Sequence, residues 1–183
     1  MNFHLKNILL VLLLASTAAC SQVIRVDPDN PVEVSEEVTV ERDEFKGATY
    51  YQGPVITNEA EDDRDSPEVE DIALRAVTPR DEPTRFFLTI TDYYDGDWRG
   101  FDQVFDLSGK KFHALSVRHK VNCVLFCGYE EVLEIQLPRA YLDDHAKTGI
   151  SMRMYGPSGA ASAPFTLPAG YIQGFLKGSF SEK

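Results

Sequence analysis

Between positions 113 and 127 the chain gathers two imidazoles and two thiols, from His113, His119, Cys123 and Cys127. Groups of these types can ligate a metal, run a dithiol couple or close a disulfide. The spacing argues against a metal. The flanking segments 111–121 and 129–137 read as strands, and an extended strand places His113 ~20 Å from His119 and His119 ~13 Å from Cys123. A zinc ion needs every ligand within ~2.3 Å. A thioredoxin-type couple needs two residues between its cysteines at a helix N-terminus, whereas Val124, Leu125 and Phe126 intervene here. A disulfide requires Cα atoms no more than ~7 Å apart, so the chain must turn between the two cysteines, as a hairpin or one helical turn. Gly128 suits such a turn; the three apolar residues inside it do not.

Nucleophilic chemistry finds little footing. Ser158 lies in "YGPSGAASA" without the G-x-S-x-G elbow that exposes a hydrolase serine between strand and helix. His145 follows Asp143 and Asp144 on an expected helix, where adjacent side chains diverge. His113 and His119 read as strand-surface residues. Paired carboxylates could cleave glycosides, but 29 acidic residues bring some pairs together in any fold, so that signal carries no weight. Aromatic side chains are better candidates. Tyr50, Tyr51, Tyr93, Tyr94 and Trp98 flank expected strand ends, and neighbours on a strand point to opposite faces. One tyrosine of each pair can serve the core while the other meets solvent, where it could stack on a sugar or anchor a peptide.

The N-terminus, "MNFHLKNILLVLLLASTAAC", has a basic Lys6, an apolar run from Ile8 to Ala15 and small residues from Ser16 to Ala19. This is the three-part layout of a secretory signal, with an apolar core about half the ~20 residues of a membrane-spanning helix. "TAAC" resembles the lipobox of bacterial lipoproteins, with Thr17 where leucine is usual. The resemblance implies cleavage after Ala19, a lipid on Cys20 and residence in the cell envelope. Ser21 after the cysteine resembles the form sorted to the outer membrane, facing the periplasm. Two or three acyl chains hold a soluble domain firmly, each buried methylene adding about 0.8 kcal/mol. With Cys20 lipidated, Cys123 and Cys127 remain as an even pair in an oxidising compartment, and a disulfide clasp on a β turn is expected.

Charge narrows the partners. Against 29 acidic residues stand 18 basic ones, a net charge of −11. Such a balance excludes nucleic acid and electrostatic adhesion to anionic headgroups. The expected contacts are the membrane, through lipid alone, and another envelope protein or a glycan. No cofactor and no metal are expected.

The elements that must position these residues are mostly strands. Residues 20–45 carry Pro28, Pro31 and many acids and read as a tether with a possible strand near 38–40. A second acidic run, 58–71, reads as a solvated loop. Strand patterns cover 47–56, 71–78, 85–94, 97–106, 111–121, 129–137 and 149–155. Asp95-Gly96 predicts a hairpin, and Ser108-Gly109 a second turn. Parity along 97–106 puts Phe101 in the core and leaves Trp98 half exposed, with Tyr93 or Tyr94 across from it. Helices are expected after Pro138 and over 168–178, the latter weakened by Gly170 and Gly174.

The expectation is a mainly β, antiparallel, sandwich-like domain over 46–183, with about seven strands and two short helices near the C-terminus. Its function reads as a non-enzymatic interaction or structural module of the envelope. The alternatives are an envelope hydrolase acting on glycan or peptide, and a small-ligand binder.

Overall fold

A computed structural model describes residues 26–57, 68–123 and 127–180. The signal segment 1–19, Cys20 and positions 58–67 of the acidic run lie outside these residues, while positions 68–71, expected in a loop, belong to a strand. The elements are α1 (Pro31–Glu36), β1 (Thr39–Asp43), β2 (Ala48–Gln52), β3 (Ile56–Thr57), β4 (Glu68–Pro79), β5 (Arg85–Asp95), β6 (Gln103–Asp106), β7 (Lys111–Cys123), β8 (Cys127–Leu137), α2 (Arg139–His145), β9 (Ile150–Tyr155), β10 (Phe165–Leu167) and α3 (Ala169–Phe180).

The strands form one antiparallel sheet in the order β1-β2-β4-β5-β8-β7-β6-β9-β10, with β3 added to β4. It curls into a half-barrel rather than stacking as a sandwich, and among the described residues it has ten strands rather than about seven. Strand alternation explains the central pair. Phe86, Leu88 and Ile90 of β5 stand opposite Leu137, Ile135 and Leu133 of β8, and all six are buried. The layer that a second sheet would supply comes instead from α3, whose Tyr171, Ile172 and Phe175 are fully buried.

The expected tether differs most from the structure, since its residues 31–43 form α1 and β1. The helix begins with local chemistry: Asn30 accepts from the Val32 N–H at 3.1 Å and donates to Glu33 at 2.8 Å, with Pro31 in the first turn. The Asn30 side chain thus caps one of the first-turn amides and is itself held by Glu33. Gly170, Gly174 and Gly178 of α3 then let α1 lie against it. A Cβ on Gly174 would stand 2.6 Å from Val34 Cβ and 2.7 Å from the Pro31 carbonyl, and one on Gly178 2.6 Å from the Ser35 carbonyl. The glycines that weaken α3 in isolation are what allow its second face to be covered. Val34 and Val38 are buried as a result, each contributing roughly 1.5–3 kcal/mol.

The Ser108-Gly109 turn does join β6 to β7. Asp106 fixes it by accepting from the backbone N–H groups of Ser108 at 2.8 Å and Lys110 at 2.9 Å. The Asp95-Gly96 hairpin does not form. β5 is already flanked by β4 and β8, so the chain leaves it, and residues 96–102 cross over to start β6 on the far side of β7. The strand expected over 97–106 is therefore confined to 103–106.

Candidate functional site

The crossing segment 96–102 is held by the end of the core. Along β5 the inward-facing row continues past Ile90 to Asp92 and Tyr94, and along β8 it continues past Leu133 to Glu131 and Tyr129. Asp92 pairs in register with Glu131, and Tyr94 with Tyr129. Both carboxylates have no exposed surface. A buried carboxylate is costly unless it is hydrogen-bonded or paired. Glu131 accepts from the backbone N–H groups of Arg99 at 3.1 Å, Gly100 at 2.9 Å and Phe101 at 3.1 Å, and from the Tyr94 hydroxyl. The Arg99 guanidinium lies 3.9 Å from Asp92 and 4.1 Å over the Tyr94 ring. Burial, and then the Glu131 carboxylate at its hydroxyl, push the Tyr94 phenol far above its ordinary range, so it stays a donor.

Gly100 has φ +60°, a left-handed conformation that a side chain would strain. It brings three successive amides round one carboxylate. The result is a crossing segment clamped from beneath.

On the clamp's outer side sits Trp98. Its ring centroid lies 4.8 Å from that of His119 on β7 and 4.8 Å, edge on, from that of Tyr129. Tyr129 stacks on Tyr94 at 6.0 Å, and Tyr94 meets Phe101 at 6.3 Å. Trp98 nonetheless remains 42% exposed, while Phe101 is 3% exposed. The division of the two follows the parity expected from sequence, although the segment is not a strand.

The other aromatic candidates do not join Trp98. Tyr93 is 43% exposed but lies on the opposite face of β5 from Tyr94, its hydroxyl over Gly128. Tyr51 on β2 packs against Phe180 of α3 at 5.3 Å, and Tyr50 faces Lys46. Tyr51 neighbours Ala76, which pairs with Phe86, some eight residues and ~26 Å along β5 from Tyr94. Only Tyr94 and Trp98 share a site. The residues that build it, Asp92, Arg99 and Glu131, went unread in the sequence. Their signal was parity, because Asp92 and Glu131 fall in phase with the buried rows of their strands.

Cys123 and Cys127 are a cross-strand pair at the end of the β7–β8 hairpin and are joined by a disulfide. His113 and His119 are exposed on β7. An open pocket of about 460 Å³ lies between Phe87, Lys111, His113 and Glu134. Its Glu134 is already held by Arg75 through both Nε and Nη2, and no Ser, Thr or Cys is among the described residues that line it.

The fold is thus a half-barrel of antiparallel strands wrapped on a helix pair, with one clamped aromatic segment at its end. No family model, curated protein or solved structure matches the chain.

Proposed function

We propose that this chain is a lipid-anchored module of the bacterial cell envelope that binds another envelope component through Trp98. The lipobox-like "TAAC" ending at Cys20 supports the anchor, and Ser21 after the cysteine supports the periplasmic face of the outer membrane. The acidic balance supports attachment by lipid rather than by charge.

One observation carries the binding reading. The crossing segment is fixed by three hydrogen bonds to one buried carboxylate, from the amides of Arg99, Gly100 and Phe101, yet the largest side chain on it stands 42% in solvent. Rigid, part-exposed aromatics at the centre of a packed patch are what interfaces use as anchors, because little ordering entropy remains to be lost. The two buried acids serve the clamp, so no catalytic step is assigned to them.

The test is affinity capture from intact envelopes with the lipidated chain, comparing wild type, Trp98→Ala and Tyr50→Ala. Labelled fatty acid should enter wild type and not Cys20→Ala, which should become soluble. Trp98→Ala should lose the captured component and Tyr50→Ala should keep it. Equal labelling of wild type and Cys20→Ala would end the anchor reading, and equal capture by wild type and Trp98→Ala the binding reading.

A further inference from the structure

We propose that the outer edge of β7, from Ser116 to Cys123, takes up an extended acidic segment of a partner protein as an added strand. This rests on the reading of Trp98 as a contact residue and names the kind of partner it serves.

The edge is open. β6 pairs with β7 only over Lys111–His113, and the Asp102 carbonyl takes the Ala114 N–H at 2.9 Å. Beyond Ala114, β8 is the one strand that pairs with β7 among the described residues. The direction of the backbone groups follows from that last bond. Ala114 points away from β8, so Leu115, opposite Glu134, points toward it. Arg118 and Lys120, opposite Val132 and Glu130, keep the same phase past the bulge between Ser116 and Arg118. His119 and Val121 therefore turn their N–H and C=O groups outward. Every residue from 115 to 121 is exposed, with Leu115 at 59%, Val117 at 60% and Val121 at 43%.

Charge selects the occupant. In a chain of net charge −11, this edge carries Arg118, His119 and Lys120 in succession, with Arg118 already paired to Glu130 of β8. An acidic strand is attracted to it. A second copy of β7 in antiparallel pairing about His119 would set Arg118 against Lys120, and like charges directly opposite destabilise a sheet. The cations are a device that keeps exposed edges from pairing with themselves, and they do not repel an acid. Strand addition of this kind gains affinity from main-chain bonds and specificity from alternate side chains. His119 lies beneath Trp98 at 4.8 Å, so a side chain seated beside His119 meets the exposed rim of the indole. The Cys123–Cys127 bridge holds the far end of the edge in place.

The probe is a synthetic peptide of roughly ten residues, an ordinary strand length, alternating glutamate and valine, with a lysine-for-glutamate counterpart. Amide exchange and tryptophan emission are followed on the mature domain. The acidic peptide should slow exchange at His119 and Val121 about tenfold or more, shift Trp98 emission and leave the lysine peptide unbound. Val121→Pro removes an outward N–H that the ladder does not use. It should weaken binding about tenfold or more while the unfolding midpoint and the disulfide persist.

Equal binding by wild type and Val121→Pro, or binding without protection, would reduce the edge to a charged surface and overturn the proposal. No binding at all would also overturn it. Slow exchange at His119 and Val121 in concentrated protein alone would assign the edge to a second copy, β1 with Glu41 and Asp43 being the acidic candidate. Envelope capture that Trp98→Ala loses and Val121→Pro keeps would leave the binding function standing without strand addition.

Discussion

Asp92 of β5 stands directly across from Glu131 of β8, and neither carboxylate reaches solvent. Two acids in one buried register pair would repel each other if left bare. Here they have different company: Arg99 lies beside Asp92, and a ring of amides and the Tyr94 hydroxyl closes on Glu131. The pair ends the apolar rows of the core and begins the crossing segment that displays Trp98. Core and surface are joined through these two residues.

Glu131→Gln should loosen that segment without changing its shape. The amide nitrogen is a donor, and it would face the Phe101 N–H that the second carboxylate oxygen now accepts from. The expected cost is about 1–3 kcal/mol for an unsatisfied buried group, read by denaturant unfolding. Trp98 is the single tryptophan, so acrylamide quenching reports it alone and should become more efficient.

Gly174→Ala should force α1 from α3, since the new Cβ would meet Val34 and the Pro31 carbonyl below 3 Å. Overpacking of this kind costs about 1–3 kcal/mol. Proteolysis should then cut earlier within 31–43 than in wild type, while the β5–β8 amides keep their exchange protection.

The β7–β8 clasp is a local staple. Free-thiol titration of the unfolded, unreduced mature domain should find essentially none from Cys123 and Cys127. Replacing both by alanine should cost about 2 kcal/mol on the chain-entropy estimate for so short a loop, with new exchange confined to the hairpin end. Two reactive thiols would contradict the bridge.

Asp106 gives a pH signature. Burial by itself raises its pKa, but hydrogen bonds from the Ser108 and Tyr141 hydroxyls and from the Lys110 and Ser108 amides outweigh burial and lower it to about 2. A folded value below the unfolded one means a contribution fully present above about pH 4 and lost as pH falls toward 2. Wild type should therefore lose its stability advantage over Asp106→Asn, about 2 kcal/mol, as pH falls from about 4 to 2. An advantage unchanged across that window would contradict the turn's hydrogen bonding.

Where the fold depends on local pattern, the sequence shows it. Alternation marks β5 and β8, Ser108-Gly109 marks the β6–β7 turn, and Pro138 precedes α2. Competition between distant elements is what local pattern misses. Asp95-Gly96 is a sound hairpin signal, yet β4 and β8 already flank β5. The acids and prolines of 20–45 obscured α1, although Asn30-Pro31-Val32-Glu33 spells a helix start, and the glycines of α3 gain their meaning only beside α1. At the site, Trp98 and its exposure were legible, whereas the clamp was not. Asp92 and Glu131 look like surface acids until the strand phase of their neighbours is carried through to them.

The central claim is that Trp98 serves recognition rather than the core. It is tested most directly by measuring unfolding free energy and envelope capture together on Trp98→Ala. A half-exposed ring resting on His119 and Tyr129 should cost about 1–2 kcal/mol when truncated, below the 3–5 kcal/mol of emptying a core aromatic site, and capture should be lost. A loss of 3–5 kcal/mol, or an unfolded variant whose wild-type tryptophan is shielded from quenchers, would show that Trp98 belongs to the core and contradict the account.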